Sequence, residues 1–248
     1  MQTHPERESL LRQAASLLAT GDEQGAIALY DRLLATRPDD AESLCMRGVA
    51  LRMLANRVLE AAWHDYERAI EADPDFPKPH FQLIRLADSL GRLDQVVRAY
   101  KQRILANRVE PKNYAYLGFA LLTAGDTDSA LRVVETGLAV GPTDPYLHYT
   151  RGEILRARGD IAEAVAAWER ALLHDASLVD ALYALGEVHE DAGRTAQARA
   201  VWQQLAARLE ELGAPDAQIA DVKRRMDGDP KDAKNRFAAG SGGLEPFS

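Results

Sequence analysis

The sequence predicts an all-α protein in which helix pairs stack one after another. Three observations carry that expectation. Ala and Leu dominate a chain that is 46% apolar and 27% charged, while the β-branched residues that favour strands are thin. Glycines recur at Gly91, Gly125, Gly159 and Gly193, each 34 residues after the last. Small residues keep the same beat at Ala26, Ala62, Val96, Ala130, Ala164 and Ala198, and four residues after each comes Tyr30, Tyr66, Tyr100, Val134, Trp168 or Trp202. A fixed period of this length marks a repeat array.

The physics of one unit can be read from the fifth. Gly152 and Ala164 let two antiparallel helices approach closely, and Trp168 fills the space between that pair and the next helix. Gly159 ends the first helix, where a left-handed residue is cheap only for glycine. Asp160 then caps the second helix, with Asp22, Asp94 and Asp126 at or near equivalent places. Pro142, like Pro38 and Pro74, follows a helix end and closes its unit. The series Gly48, Gly118, Gly152 and Gly186 repeats the close-approach glycine.

This pattern of Leu-Gly, aromatic, Ala, aromatic and Pro at a 34-residue period resembles the tetratricopeptide repeat family. The resemblance implies a right-handed α-solenoid superhelix of antiparallel helix pairs, with residues 1–226 as one array. The units are expected at about 7–40, 41–76, 77–110, 111–144, 145–178 and 179–212. The second is two residues longer than the others, which predicts a longer turn around LANRVLE, where the usual glycine is missing. The third opens on Pro77 and Pro79, tolerated at a helix start, and has Ile84 in the glycine place. The fifth and sixth end on Ala176 and Glu210 and so lack a sharp break. Residues 215–226 place Ile219, Val222 and Met226 on one helical stripe, a cap for the last apolar face. Residues 227–248 are polar, Gly-rich and aperiodic, and are expected to form a flexible tail.

Chemistry is hard to find. There is no phosphate loop, dinucleotide fingerprint or nucleophile elbow, so no catalytic residue and no cofactor is assigned and the chain is not expected to be an enzyme. Glu60, His64 and Glu67 share a helix face, but on the outward side of a second helix, where charges are solvated; no metal site is assigned. The lone Cys45 excludes an intramolecular disulfide and reads as a small apolar filler. Trp168 and Trp202 read as packing residues because they keep the period.

Net charge is −8, which argues against a nucleic-acid partner. No run of about 18 apolar residues offers a membrane span. The N-terminus lacks a basic start before an apolar run, so the expected address is the cytoplasm. Arg outnumbers Lys by 24 to 6 in an Ala-rich chain, which suggests a GC-rich, bacterial genome.

The resemblance further implies that first helices line a concave groove holding a peptide. Carried over position by position, the groove residues include Lys78, Phe81 and Arg85 in the third unit, Lys112, Tyr116 and Phe119 in the fourth, and Tyr149 in the fifth, with Glu153, Arg156, Glu187 and Glu190 toward an acidic far end. Residues 77–110 hold seven Lys or Arg against three Asp or Glu, while every other unit is negative. A basic and aromatic centre suits a peptide with an acidic or carboxylate group beside an apolar anchor. The family's clamp for acidic chaperone tails, a Lys at the fifth place and an Asn at the ninth, is absent, since Phe81 with Arg85 and Ala115 with Phe119 stand there. The expected partner is therefore another protein or peptide. Self-association is the alternative, through the Leu11 and Leu18 wall or through the tail, whose Glu245 and Phe247 could enter a neighbour's groove.

Overall fold

A computed structural model describes residues 4–227. The expected tail beyond Asp227, with Glu245 and Phe247, lies outside the described residues. Among those described are twelve α-helices and no strand. They divide into two compact units, the boundary falling between Leu86 and Ala87.

The first unit holds α1 (His4–Ala19), α2 (Glu23–Thr36), α3 (Ala41–Ala72) and most of α4 (Pro77–Ser89). α1 and α2 form a hairpin, and α2 packs on α3 around Leu10, Ala14, Ala26, Tyr30, Leu33 and Ala50. Asp22 caps α2 by accepting from the Gly25 N–H at 2.8 Å, and Asp40 caps α3 by accepting from the Ser43 N–H. Arg7 on α1 donates to that same Asp40 and to Glu42, both at 2.8 Å, so one guanidinium ties the first helix to the start of the third.

α3 corrects the expected turn in LANRVLE. Residues 54–60 are helical, and α3 runs unbroken for 32 residues. The cause lies in the sequence. Where other units place the glycine that ends a first helix, this one has Ala55, and a left-handed alanine costs on the order of 1 kcal/mol. No proline or glycine lies between Gly48 and Pro74, so helical continuation meets no opposition. Arg57 also holds the middle of α3 in place, donating to the Gly21 carbonyl at 2.7 Å and pairing with Glu23.

The second unit holds α5 (Leu93–Ala106), α6 (Pro111–Thr123), α7 (Thr127–Val140), α8 (Pro145–Arg158), α9 (Ile161–His174), α10 (Val179–Asp191), α11 (Thr195–Glu211) and α12 (Asp216–Met226). Neighbours in sequence pack in space: α6 on α7, α8 on α9, α10 on α11, with α7 on α8, α9 on α10 and α11 on α12 between them. Gly159 adopts φ 88° and ends α8 as the sequence requires. Asp126 caps α7 with its side chain, whereas Asp160 holds the cap position of α9 without a side-chain bond. Asp94 lies inside the first turn of α5 and Arg92 takes the cap.

Close approach occurs at three of the four glycines of that series, and not at Gly48, where an added Cβ would meet nothing within 4 Å. A Cβ added at Gly118 would collide with Val134, one at Gly152 would collide with the Trp168 indole, and one at Gly186 would lie 2.6 Å from Trp202. Trp168 and Trp202 have no exposed surface and are packing residues.

A second periodic device was not visible in the sequence pattern. The fourth residue of α4, α6 and α8 reaches back six residues to a backbone carbonyl: His80 to Pro74 at 3.0 Å, Tyr114 to Arg108 at 3.0 Å and His148 to Pro142 at 2.9 Å. A carbonyl only accepts, so each imidazole carries its proton on Nε2. Burial holds His148 below the usual histidine range, and its neutral ring stacks on His174 at 5.4 Å.

Gly152→Ala is expected to lower stability by about 1–3 kcal/mol through overpacking against Trp168, seen as a lower melting temperature by circular dichroism. Asp40 gives a pH signature. The Ser43 hydrogen bonds and the Arg7 guanidinium hold its carboxyl below the ordinary value, so its stabilisation is present above about pH 4. That contribution is lost as pH falls through the lower folded value. Asp40→Ala is expected to cost about 1 kcal/mol at neutral pH and to remove this part of the acid sensitivity, measured by urea unfolding at several pH values.

Candidate protein-binding face

Each sequence-predicted site residue lies on the first helix of a pair, as the repeat register requires. Lys78, Phe81 and Arg85 stand on α4, Lys112, Tyr116 and Phe119 on α6, and Tyr149 on α8. Their exposure differs in ways the register does not show. Lys78 is exposed, Arg85 and Lys112 are half-buried, and Phe81, Phe119 and Tyr149 keep only 8%, 8% and 7% of their surface. Tyr116 keeps none. Its ring meets Tyr100 of α5 at 5.6 Å, so it belongs to the core and presents no surface to a ligand.

Within the second unit, burial holds the Asp144 carboxyl above its usual range, against the pull of the Leu147 and Tyr146 N–H groups and of nearby Lys112. Tyr146, at the start of α8, has its phenol pushed up to about 12 by burial and by Asp175, Asp180 and Asp144. It is therefore a neutral hydroxyl across the physiological range.

The predicted acidic far end is paired in part from within. Arg156 donates to Glu153 at 2.6 Å and lies 3.6 Å from Glu187. Arg225 of α12 lies 3.6 Å from Glu187, 3.8 Å from Glu190 and 3.3 Å from Asp221. The two guanidiniums also cover the tryptophans, Arg156 at 5.8 Å from Trp168 and Arg225 at 5.1 Å from Trp202. Trp202 Nε1 donates to Glu190 at 3.0 Å. Burial pushes the Glu153 carboxyl up while Arg156 opposes it. Arg225 was missed by the sequence reading, which saw only the apolar stripe of α12; Val222 is fully buried, with Ile219 and Met226 against the same cluster.

His64 and Glu67 form an exposed pair at 3.5 Å. Among the described residues no three His, Cys, Asp or Glu side chains gather as a metal site would need. Cys45 is exposed, which corrects its reading as an apolar filler. An open depression of about 510 Å³ on α7, lined by Asp128, Leu131, Arg132, Glu135, Thr136 and Arg158, contains none of the predicted residues. No helix among the described residues is long and apolar enough to cross a membrane.

Tetratricopeptide repeat models match residues 11–77, 114–136 and 180–208, and a TPR repeat model matches 152–193. The chain belongs to the tetratricopeptide repeat family. Repeats of this family are generally scaffolds for protein or peptide partners and are typically not enzymes. Among solved structures, TTC0263, a thermophilic TPR protein of Thermus thermophilus, is 18% identical, with 89% of this chain and 98% of that one covered and a TM-score of 0.51. That likeness shows the fold. MamA is 16% identical over 81% of this chain and 96% of its own, with a TM-score of 0.45. YrrB, a TPR protein with an unusual peptide-binding site, is 17% identical over 71% and 89%, with a TM-score of 0.38. No curated protein matches the chain.

Arg225→Ala is expected to destabilise the α10–α12 packing by about 1–3 kcal/mol, because Glu187 and Glu190 lose a partly buried partner. Limited proteolysis should then cut α12 earlier than in the unaltered chain.

Proposed function

We propose that this repeat array is a non-enzymatic adaptor that holds a protein segment bearing an acidic or carboxylate group, with the first helices of its pairs as the binding face. The observation that carries the reading is the pair of basic residues on α4, Lys78 and Arg85, the first-helix share of a stretch, residues 77–110, that is net +4 inside a chain of net −8. Lys78 is exposed and Arg85 half-buried on one α4 face, with a remaining edge of Phe81 between them to receive an apolar anchor. In the second unit Lys112 and the edges of Phe119 and Tyr149 offer the same chemistry. Tyr116 contributes as the packing that holds α6 and not as a contact. The groups that would attract a basic peptide at Glu153, Glu187 and Glu190 are already paired by Arg156 and Arg225, which favours an acidic ligand over a basic one.

The test is an array of carboxylate-bearing peptides with Phe or Leu anchors, read by fluorescence polarisation. Lys78→Glu with Arg85→Glu is expected to weaken the best peptide at least tenfold, about 1.4 kcal/mol, with helical signal and melting unchanged. The interaction should also weaken as salt rises. Unaltered affinity in the double variant rejects this face as the site.

A further inference from the structure

α3 carries a face that the first unit leaves open. Leu44, Leu51 and Val58 are 42%, 49% and 58% exposed and stand seven residues apart, with exposed Gly48 and Ala55 between them. Alternating steps of four and three keep all five on one side of a helix.

The repeat shows what that side is built to meet. Gly118, Gly152 and Gly186 each receive the side chain sixteen residues later, Val134, Trp168 and Trp202. Gly48 keeps the same register, and with the two extra residues of its unit the counterpart is Tyr66. Along the unbroken α3 these two are about 27 Å apart. A Cβ added at Gly48 would meet nothing within 4 Å. Leu44, Gly48 and Leu51 are thus one half of a helix–helix contact whose other half, Ala62 and Tyr66, lies further along the same helix. Eighteen residues make about five full turns, so both halves face the same side.

We propose that a second copy of this chain completes the contact. Two α3 helices pair antiparallel about a two-fold axis level with residue 57, and Tyr66 of each copy packs on Gly48 of the other. One helix holds both halves of the contact, so the surface is self-complementary, as an isologous two-fold interface requires. This inference concerns α3 alone and stands apart from the peptide face on α4.

Light scattering of the full chain is expected to give twice the 27.3 kDa single-chain mass. Leu51→Glu with Val58→Glu should return the single mass with helicity retained, since both side chains are exposed. Gly48→Leu should weaken the dimer at least tenfold by blocking Tyr66. Cys45→Ser with Ala55→Cys puts one thiol near the two-fold axis, about 10 Å from its copy, and should give a two-chain product with a short bis-maleimide. The native Cys45, although exposed, would sit on the order of 30 Å from its copy and should not. A single-chain mass at every soluble concentration overturns the proposal. So does equal cross-linking of the unaltered chain and of the Ala55→Cys variant, or a dimer indifferent to Gly48→Leu.

Discussion

Everything in the second unit depends on one close approach, a helix backbone stripped to glycine against the side chain sixteen residues later. With hydrogen in place of Cβ, Gly152 lets the indole of Trp168 lie directly on the α8 backbone, and the same holds for Gly186 with Trp202. The helix pair is thereby fixed in both distance and register, because a shift of one residue would drive a side chain into the ring. Each filled pair then presents a defined surface to the next, and the array grows by nearest-neighbour contact. The backward bonds of Tyr114 and His148 tie the starts of α6 and α8 to the turns before them.

The fold was legible where a unit carries its own punctuation. Gly91, Gly125, Gly159 and Gly193 state where a first helix must stop, and the helices stop there. α3 departs from the expected hairpin because a missing breaker means continuation and not a longer turn. Physically, a helix needs no signal to continue and needs one to stop, so Ala55 in the glycine place decides the matter. The exposure of Cys45 has the same origin: with the second half of its unit carried away along α3, its surroundings do not close over it.

The binding face was legible in position and less so in exposure. Register alone placed Lys78, Arg85 and Lys112 on first helices, since that needs only the repeat. The burial of Tyr116 depends on Tyr100 in a preceding helix, a contact with no local trace. The pairing of Glu153 with Arg156 lies within one turn and could have been seen. The closure of Glu187 and Glu190 by Arg225 joins residues too far apart in sequence for any pattern to announce it.

The alternation Glu153, Arg156, Glu187, Arg225, Glu190 has a thermal consequence. Hydration of charged groups becomes less favourable on warming, so the penalty for withdrawing such a network from water shrinks with temperature. The glycine contacts at Gly118 and Val134 are purely apolar and gain no comparable relief. Heating therefore favours the C-terminal pairs over those before them, and a quasi-one-dimensional array with unequal links does not melt as a block.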